Sequence, residues 1–383
     1  MSKLYNSYWQ NLNFRAFLAY SALVLLMGSC TPAKEAQVSG KKARNIIFMV
    51  GDGMGLSQIS AAFYANSQKL ALQQFPHVGF HKTPSSNDLI TDSAAGATAF
   101  SCGVKTYNGA IGLTADSTAC TTILEMARDE GFATGLIATS TIVHATPAAF
   151  AAHQPIRVFH DQIAADLAGS GVDLLIGGGK RYFDRREADD RNLLEEMRKN
   201  GYFIATYLDF ELADLVPSPA SKFAYFAADK HPLTKEAGRE YLPAAVRTGA
   251  AFLRSRSKKG FFLLVEGSQI DWGGHANDGN LIVNETLDFD DAVRIALNFA
   301  RRDGETLVIV TADHESGGLA LARSGSPQEL EHQFTTNGHT AAMVPVFAFG
   351  PSAELFDGIY ENTEIFYKMQ LALGLSSSPA PEP

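Results

Sequence analysis

Six short apolar runs constrain the fold of this chain more than any other feature of its sequence. They lack the strict alternation of apolar and polar residues that a strand with one solvent-facing side shows, so they suit strands that are buried on both faces of a parallel sheet. The runs lie at 45–50, 134–139, 172–177, 261–266, 306–311 and 344–349.

Helical patterns lie between these runs, for example at 121–131 and 285–304. This strand–helix alternation predicts an α/β fold with a doubly wound, mostly parallel central sheet and helices on both faces. Residues 181–260 mix helical and Pro/Ser-containing segments, and we expect them to insert helices around the sheet. The length of 383 residues allows one large domain or two modest ones, and we predict a single catalytic domain over 44–374.

The charge of the chain bears on its partners. The formal net charge is −9, and no cluster of Lys and Arg offsets it. Because a nucleic-acid-binding protein normally carries a basic face, we expect no nucleic-acid-binding surface.

Residues 1–29 are predicted to be a targeting segment. Basic residues precede an apolar stretch at 16–27 that is too short to span a membrane, as in a secretory signal. The small-small-Cys ending resembles a bacterial lipoprotein box, with Cys30 as the lipidated first residue of the mature chain. The alternative is a plain cleavable signal peptide. Both interpretations predict export, to the periplasm or to the outer membrane as a lipid-anchored protein.

The segments that flank the predicted domain are polar. We predict a tether at 30–43 and a disordered tail at 375–383. Cys102 and Cys120 remain in the exported part, where an oxidising compartment would allow them to pair. Two cysteines do not make a disulfide scaffold, and these two do not form a CxxC metal motif.

Acidic and histidine side chains follow the predicted strands, at the edge where ligands bind in open α/β sheets. Four carboxylates and three imidazoles that converge there would repel one another or stay unsatisfied unless a cation held them. Mixed Asp/His sets suit zinc, and all-oxygen sets suit magnesium. The residues at these positions, with one threonine, are Asp52, Thr146, Glu266, Asp271, His275, Asp313, His314 and His339.

Asp92 and Ser93 stand between an apolar pair and a run of very small residues. This pattern predicts a closely packed helix whose first backbone N–H groups point at whatever lies beside the serine. Taken alone, the pair would equally fit a serine that caps an ordinary small-residue helix.

Several motifs together resemble the alkaline phosphatase family, in an exported, short bacterial form. They follow the order of that family and span most of 44–373. The resemblance implies an alkaline-phosphatase-like fold and hydrolysis of small phosphate monoesters to an alcohol and inorganic phosphate. The motifs are GDGMG (51–55), TDSAAGATAFSCGVKTYNGAIG (91–112), HATPAAFAAH (144–153), VEGSQIDWGGH (265–275), TADHESGG (311–318) and GHT (338–340).

The resemblance also implies residue roles. Ser93 would be the nucleophile that becomes a phosphoserine, Arg157 would clamp the phosphate, and Asp92 would orient Arg157. Two zinc ions and a third ion, magnesium in much of the family, would complete the site. The implied ligand sets are Asp271, His275 and His339 for one zinc; Asp52, Asp313, His314 and the Ser93 oxygen for the other; and Asp52, Thr146 and Glu266 for the third ion.

Two features depart from part of the family. His144 and Trp272 stand where some members have Asp and Lys. His144 would either ligate the third ion, which would favour zinc or cobalt over magnesium, or merely hydrogen-bond nearby backbone. In addition, only 25 positions separate His314 from His339, where many relatives insert a larger lobe. The short connection predicts a more open site and leaves a large family-type dimer in doubt.

Two other functions are open at this point. A phosphodiesterase, sulfatase or phosphonate-cleaving enzyme of the same superfamily resembles the metal frame but typically uses threonine or a modified cysteine as nucleophile. An exported phosphate-binding protein without turnover would not need seven metal ligands and a positioned serine.

Overall fold

The computed structural model describes residues 41–326 and 329–376. The predicted signal segment, Cys30 and most of the predicted tether and tail lie outside the described residues. Among the residues described, every helix is too short or too polar to span a membrane.

The strands of the described chain are β1 (Asn45–Gly51), β2 (His77–Lys82), β3 (Ala133–Thr141), β4 (Leu174–Gly178), β5 (Tyr202–Thr206), β6 (Lys222–Phe226), β7 (Phe261–Gly267), β8 (Thr306–Thr311), β9 (Glu315–Ser316), β10 (Leu319–Arg323), β11 (Leu330–Phe334), β12 (His339–Thr340), β13 (Val344–Phe349) and β14 (Gly358–Glu361). Its α-helices are α1 (Leu56–Ala65), α2 (Ser93–Cys102), α3 (Ile123–Asp129), α4 (Ala145–Ala148), α5 (His160–Gly169), α6 (Arg181–Asp184), α7 (Leu193–Lys199), α8 (Tyr241–Arg256), α9 (Gln269–Ala276), α10 (Gly279–Asp303) and α11 (Glu364–Leu373).

A ten-stranded sheet forms the centre of the fold, in the order β14-β2-β13-β8-β1-β7-β3-β4-β6-β5. Strand β13 is antiparallel to its neighbours β2 and β8, and the other neighbouring strands are parallel. The predicted doubly wound, mostly parallel α/β sheet is therefore confirmed.

Both faces of the sheet are covered, which explains the lack of polar alternation in its strands. In β1, Ile46 and Phe48 belong to one buried cluster, whereas Ile47 and Met49 belong to the other. Residues of α2, α3, α5 and α11 complete the first cluster, and residues of α1, α8 and α10 complete the second. Each of the four buried β1 side chains contributes about 1.5–3 kcal/mol to folding stability, relative to the same side chain left exposed to water.

All six predicted strands are present, with ends that differ by one or two residues, and the two predicted helices correspond to α3 and α10. The prediction for 181–260 was incomplete, because this stretch contributes β5 and β6 to the sheet as well as helices. These are five-residue strands that the sequence analysis did not single out, and β5 lies at the sheet edge with one exposed residue. Cys102 and Cys120 form a disulfide.

Candidate active site

The register of three central strands brings four of the predicted metal-binding side chains to one edge of the sheet. Strand β1 pairs with β7 through Gly51 and Gly267, and with β8 through Val50 and Thr311. The residues at or just beyond these strand ends therefore lie side by side. They are Asp52, Glu266, Asp313 and His314, and each is 0% exposed.

Helix α2 presents Ser93 to this edge. Asp92, rather than Ser93, is the N-cap: its backbone is extended and its side chain accepts a hydrogen bond from the N–H of Ala95 at 2.9 Å. The serine-cap interpretation is thus wrong, and Ser93 is the first helical residue, with its hydroxyl free to face the cluster. Small residues are needed here, because a Cβ on Gly96 would lie only 3.1 Å from Cβ of Asp313.

The Ser93 hydroxyl faces an acid and an imidazole. It donates a hydrogen bond to Oδ1 of Asp52 at 3.4 Å, and it lies 3.4 Å from Nε2 of His314. Ligand atoms of Asp52, Asp313 and His314 all lie within 4.8 Å of one another. The structure therefore brings together the residues predicted for one zinc, with the serine beside them.

A second group of possible ligands lies next to the first. Ligand atoms of Asp271, His314 and His339 lie within 4.8 Å of one another. His275 joins them, since its Nε2 is 3.3 Å from Oδ2 of Asp271 and 3.2 Å from Nε2 of His339. The predicted set of Asp271, His275 and His339 is thus assembled, with the ring of His314 between the two groups.

Backbone carbonyls orient two of these histidine rings. Nδ1 of His275 lies 2.7 Å from the carbonyl oxygen of Asn337, and Nδ1 of His339 lies 2.8 Å from that of Thr91. A carbonyl can only accept, so each Nδ1 carries a proton, and Nε2 is the ring atom left to bind a metal ion in the site. This is the usual arrangement for histidines that bind a metal ion.

A third group contains Asp52, His144 and Glu266, whose ligand atoms also lie within 4.8 Å of one another. Oδ2 of Asp52, Oε1 of Glu266 and Nδ1 of His144 are buried and have no hydrogen-bond partner among the described residues. Buried carboxylate oxygens without donors are costly unless a cation satisfies them. These residues therefore fit a bound metal ion. Thr146, the remaining predicted ligand, is fully buried in α4.

The pKa values of the buried carboxyl groups indicate the same need for positive charge. Burial, together with the charges of Asp313, Asp271 and Glu266, raises the pKa of Asp52 well above its usual value. Burial also raises the pKa of Glu266 to about 7 and that of Asp313 to about 6. A cation at this edge would stabilise the ionised forms of all three groups.

Asp271 behaves differently from these three carboxyl groups. Burial alone would raise its pKa, but hydrogen bonds from His275 and His339 outweigh burial and hold the pKa well below its usual value. The hydrogen bond to Asp271 in turn raises the pKa of His275 to about 9.

Asp92 contacts Arg157, the side chain that it is predicted to orient. Nη1 of Arg157 donates to Oδ2 of Asp92 at 3.0 Å. The other carboxylate oxygen of Asp92 accepts from the N–H of Gly109 at 3.1 Å as well as from Ala95. Asn108 adds a further contact, because its Oδ1 accepts from the N–H of Asp92 at 3.1 Å.

Sequence reasoning missed some of the residues that shape the site. Asn108 and Gly109 lie within the quoted motif at 91–112, but nothing in that motif shows that they hold Asp92. Ser140 and Ser268 were also missed; each donates to Oε2 of Glu266, at 3.3 Å and 2.5 Å.

His144 and Trp272 are linked by a residue that the sequence did not single out. The ring of His231 lies 6.1 Å from that of His144 and 4.9 Å from that of Trp272, edge to face in both cases. Nε2 of His144 lies 3.5 Å from Nη2 of Arg157, and within the described chain this ring makes no hydrogen bond to the backbone. The backbone alternative considered for His144 is therefore not what the structure contains.

Comparisons with known proteins agree with the site. The family model for alkaline phosphatase matches residues 43–328 and 322–375. Alkaline phosphatase 3 of Bacillus subtilis strain 168 is 34% identical, covering 91% of this chain and 94% of that protein. Alkaline phosphatase of Escherichia coli strain K12 is 32% identical, covering 91% of this chain and 90% of that protein.

A solved structure is also similar along most of the chain. The alkaline phosphatase from the Antarctic bacterium TAB5 is 44% identical, covering 88% of this chain and 100% of that one, with a TM-score of 0.83. Since the family model matches most of the chain and relatives above 30% identity match along about nine-tenths of it, this chain belongs to the alkaline phosphatase family and is a phosphomonoesterase.

Proposed function

We propose that this protein hydrolyses small phosphate monoesters through a phosphoserine intermediate at Ser93. The observation that supports this most directly is the position of the Ser93 hydroxyl. Ser93 is only 2% exposed at the start of α2. Its Oγ lies 3.4 Å from both Oδ1 of Asp52 and Nε2 of His314, with possible metal ligands on two sides. By contrast, the hydroxyl of Ser101, later in the same helix, donates to the carbonyl oxygen of Thr98 and does not face the site.

The side chains have distinct roles in the proposed reaction. Before attack, the hydroxyl hydrogen bond to Asp52 points the lone pairs of Oγ away from the carboxylate. Oγ of Ser93 then gives up its proton to solvent and attacks phosphorus, the bond to the ester oxygen breaks, and that oxygen takes up a proton from solvent and leaves as the alcohol. Arg157 offers a planar fork to two phosphate oxygens, which lysine cannot match. The first N–H groups of α2 add positive electrostatic potential beside the phosphate. Water then cleaves the phosphoserine and releases inorganic phosphate.

The proposed metal content is two zinc ions and a third ion. Asp271, His275 and His339 would hold one zinc; Asp52, Asp313 and His314, with Ser93, would hold the other; Asp52, Thr146 and Glu266 would hold the third. Bound ions would supply Lewis-acid polarisation of phosphate oxygens and a lower pKa for the serine hydroxyl.

The third ion is proposed to be magnesium, or zinc or cobalt if His144 ligates it. Burial, followed by the charge of Arg157, lowers the pKa of His144 well below its usual value, so the ring is neutral and able to act as a ligand. In the TAB5 enzyme, a mutant with a histidine changed to aspartate is described with magnesium bound in its M3 site. We propose that His144 has the equivalent position here.

Location and assembly are further proposals. We propose export to the periplasm or outer membrane, with a lipid on Cys30 and no large family-type dimer. Labelled palmitate should enter the wild-type protein in cells but not the Cys30→Ala variant. Equal labelling of the two would contradict the anchor.

A side-by-side assay tests the reaction. The protein should hydrolyse a chromogenic phosphate monoester and act far less on the matching diester and sulfate. Ser93→Ala should lose labelled phosphoserine and most of the rate, whereas Ser101→Ala in the same helix should lose neither. Faster turnover of the diester or sulfate would favour the superfamily alternative, and stoichiometric phosphate binding without turnover would favour the binding protein.

A further inference from the structure

A cavity of about 490 Å³ opens beside the proposed phosphate site. The three residues that follow Arg157 in the chain, Val158, Phe159 and His160, are part of its lining. Lys230 and His231 also line it. A volume of this size is within the range of about 300–1,000 Å³ that small-molecule sites occupy.

The cavity lies next to the proposed phosphate site. His231 lines the cavity, and its ring stands 6.1 Å from the ring of His144. Nε2 of His144 is in turn 3.5 Å from the guanidinium of Arg157. A group bonded to a phosphate on Arg157 therefore needs to extend only past these rings to enter the cavity.

The wall of the cavity offers apolar and aromatic surface. Phe159 is 42% exposed and Val158 is 61% exposed. In the same lining, the ring of Tyr182 lies 4.9 Å from that of His160. Exposed aromatic faces of this kind bind flat rings by stacking or edge-to-face contact.

Among the described residues, one cationic side chain of the cavity lining has no acidic partner. Arg181 is paired with Glu187, and Arg185 is paired with Asp229. By contrast, Lys230 is exposed and forms no salt bridge with any carboxylate of the described chain.

Asp161, the other acid that lines the cavity besides Glu187, forms no ion pair with Lys230 in the described part of the chain. Oδ2 of Asp161 accepts from the backbone N–H groups of Glu187 and Ala188, at 2.7 Å and 2.8 Å. Its carboxylate is therefore held against the loop after α6. The ammonium group of Lys230 remains available to a ligand.

We propose that this cavity binds the leaving group of the substrate and favours an aromatic leaving group that carries an anionic substituent. The ring would contact Phe159 and the face formed by His160 and Tyr182, and the anion would pair with Lys230. This inference rests on the proposed function, because it assumes that the phosphate of the same substrate lies on Ser93 and Arg157.

Three phosphate monoesters test the proposal: phenyl phosphate, the same ester with a carboxylate in the para position, and glycerol phosphate. Lys230→Ala should lower kcat/KM for the carboxylated ester about fivefold and leave the other two within about twofold. An exposed ion pair contributes up to about 1 kcal/mol, which corresponds to that factor. Comparing each variant with wild type on one substrate removes the intrinsic reactivity of the ester.

Two further variants complete the test. Phe159→Ala should lower kcat/KM for both aromatic esters about two- to twelvefold relative to glycerol phosphate, because an aromatic contact contributes about 0.5–1.5 kcal/mol. Lys69→Ala removes an exposed lysine beyond the far end of α1 and should change none of the three values.

The outcomes separate this inference from the proposed function. Equal losses on all three esters, or no loss on the carboxylated ester in Lys230→Ala, would overturn the leaving-group site while leaving phosphatase activity intact. If the wild-type protein hydrolyses none of the three esters, the proposed function itself would be overturned.

Discussion

The contact between Asp92 and Arg157 allows the role of an orienting acid to be measured. Their side chains are 20% and 25% exposed, and the guanidinium donates to the carboxylate at 3.0 Å. A hydrogen bond to a charged group contributes about 1.5–3 kcal/mol, and partial exposure to solvent reduces this to about 1–2 kcal/mol. Asp92→Ala should therefore lower kcat/KM for a phosphate monoester by about 5- to 30-fold.

A double-mutant cycle isolates the orienting effect. If Asp92 acts on phosphate binding through Arg157, adding Asp92→Ala to Arg157→Ala should cost almost nothing further in kcat/KM. The coupling energy between the two positions would then be about 1–2 kcal/mol. Independent, additive losses would refute the reasoning.

Asp92→Asn separates orientation from helix capping. Loss of the N-cap acceptor for Ala95 in Asp92→Ala should also cost about 1 kcal/mol of folding stability. The asparagine keeps an oxygen for Ala95 and Gly109 but turns an amide donor toward Arg157, so thermal unfolding should stay near wild type while kcat/KM falls. Wild-type kinetics in this variant would show that the carboxylate charge does not hold Arg157.

Three other predictions concern metal choice, pH and assembly. His144→Asp should shift the third site toward magnesium and make activity more dependent on added magnesium; the same metal dependence as wild type would mean that His144 does not select the ion. Burial raises the pKa of Glu266 from 4.5 to about 7, so the folded metal-free chain binds more protons than the unfolded chain, and its unfolding temperature should fall from about pH 5 to pH 7. Calorimetry after chelation would measure this, and a rise over that range would contradict it. Light scattering on residues 31–383 should give a monomer, and a tight dimer at low concentration would count against the open site.

The site could be predicted from the sequence as far as its residues follow recognisable strands. Asp52 and Asp313 come directly after strands whose apolar runs are unmistakable, and parallel strands end at a common edge. Their convergence follows from that geometry. The strands β5 and β6 were not predicted, because strands of five residues are too short to give a clear periodic signal.

Other contacts depend on segments that are far apart in the chain. Asp92 and Arg157 are 65 positions apart, and the two histidine rings of His275 and His339 are 64 positions apart. The resemblance implied these pairings, but the acceptors that orient the rings, such as the carbonyl of Asn337, are backbone atoms that any residue would supply. No residue type signals such a contact in advance.

The amino-acid sequence by itself determined the fold class, the family and most of the residues that meet at the candidate site. Burial on both sheet faces and the TDSAA, GDGMG and TADHE motifs can be recognised from local residue types alone. Only the tertiary structure decided that Asp92 caps α2, that His231 stands between His144 and Trp272, and that Lys230 faces a cavity beside Arg157. These features arise where loops from different strands meet. Their positions are set by packing of the whole sheet and its helices, which no local pattern of residues records.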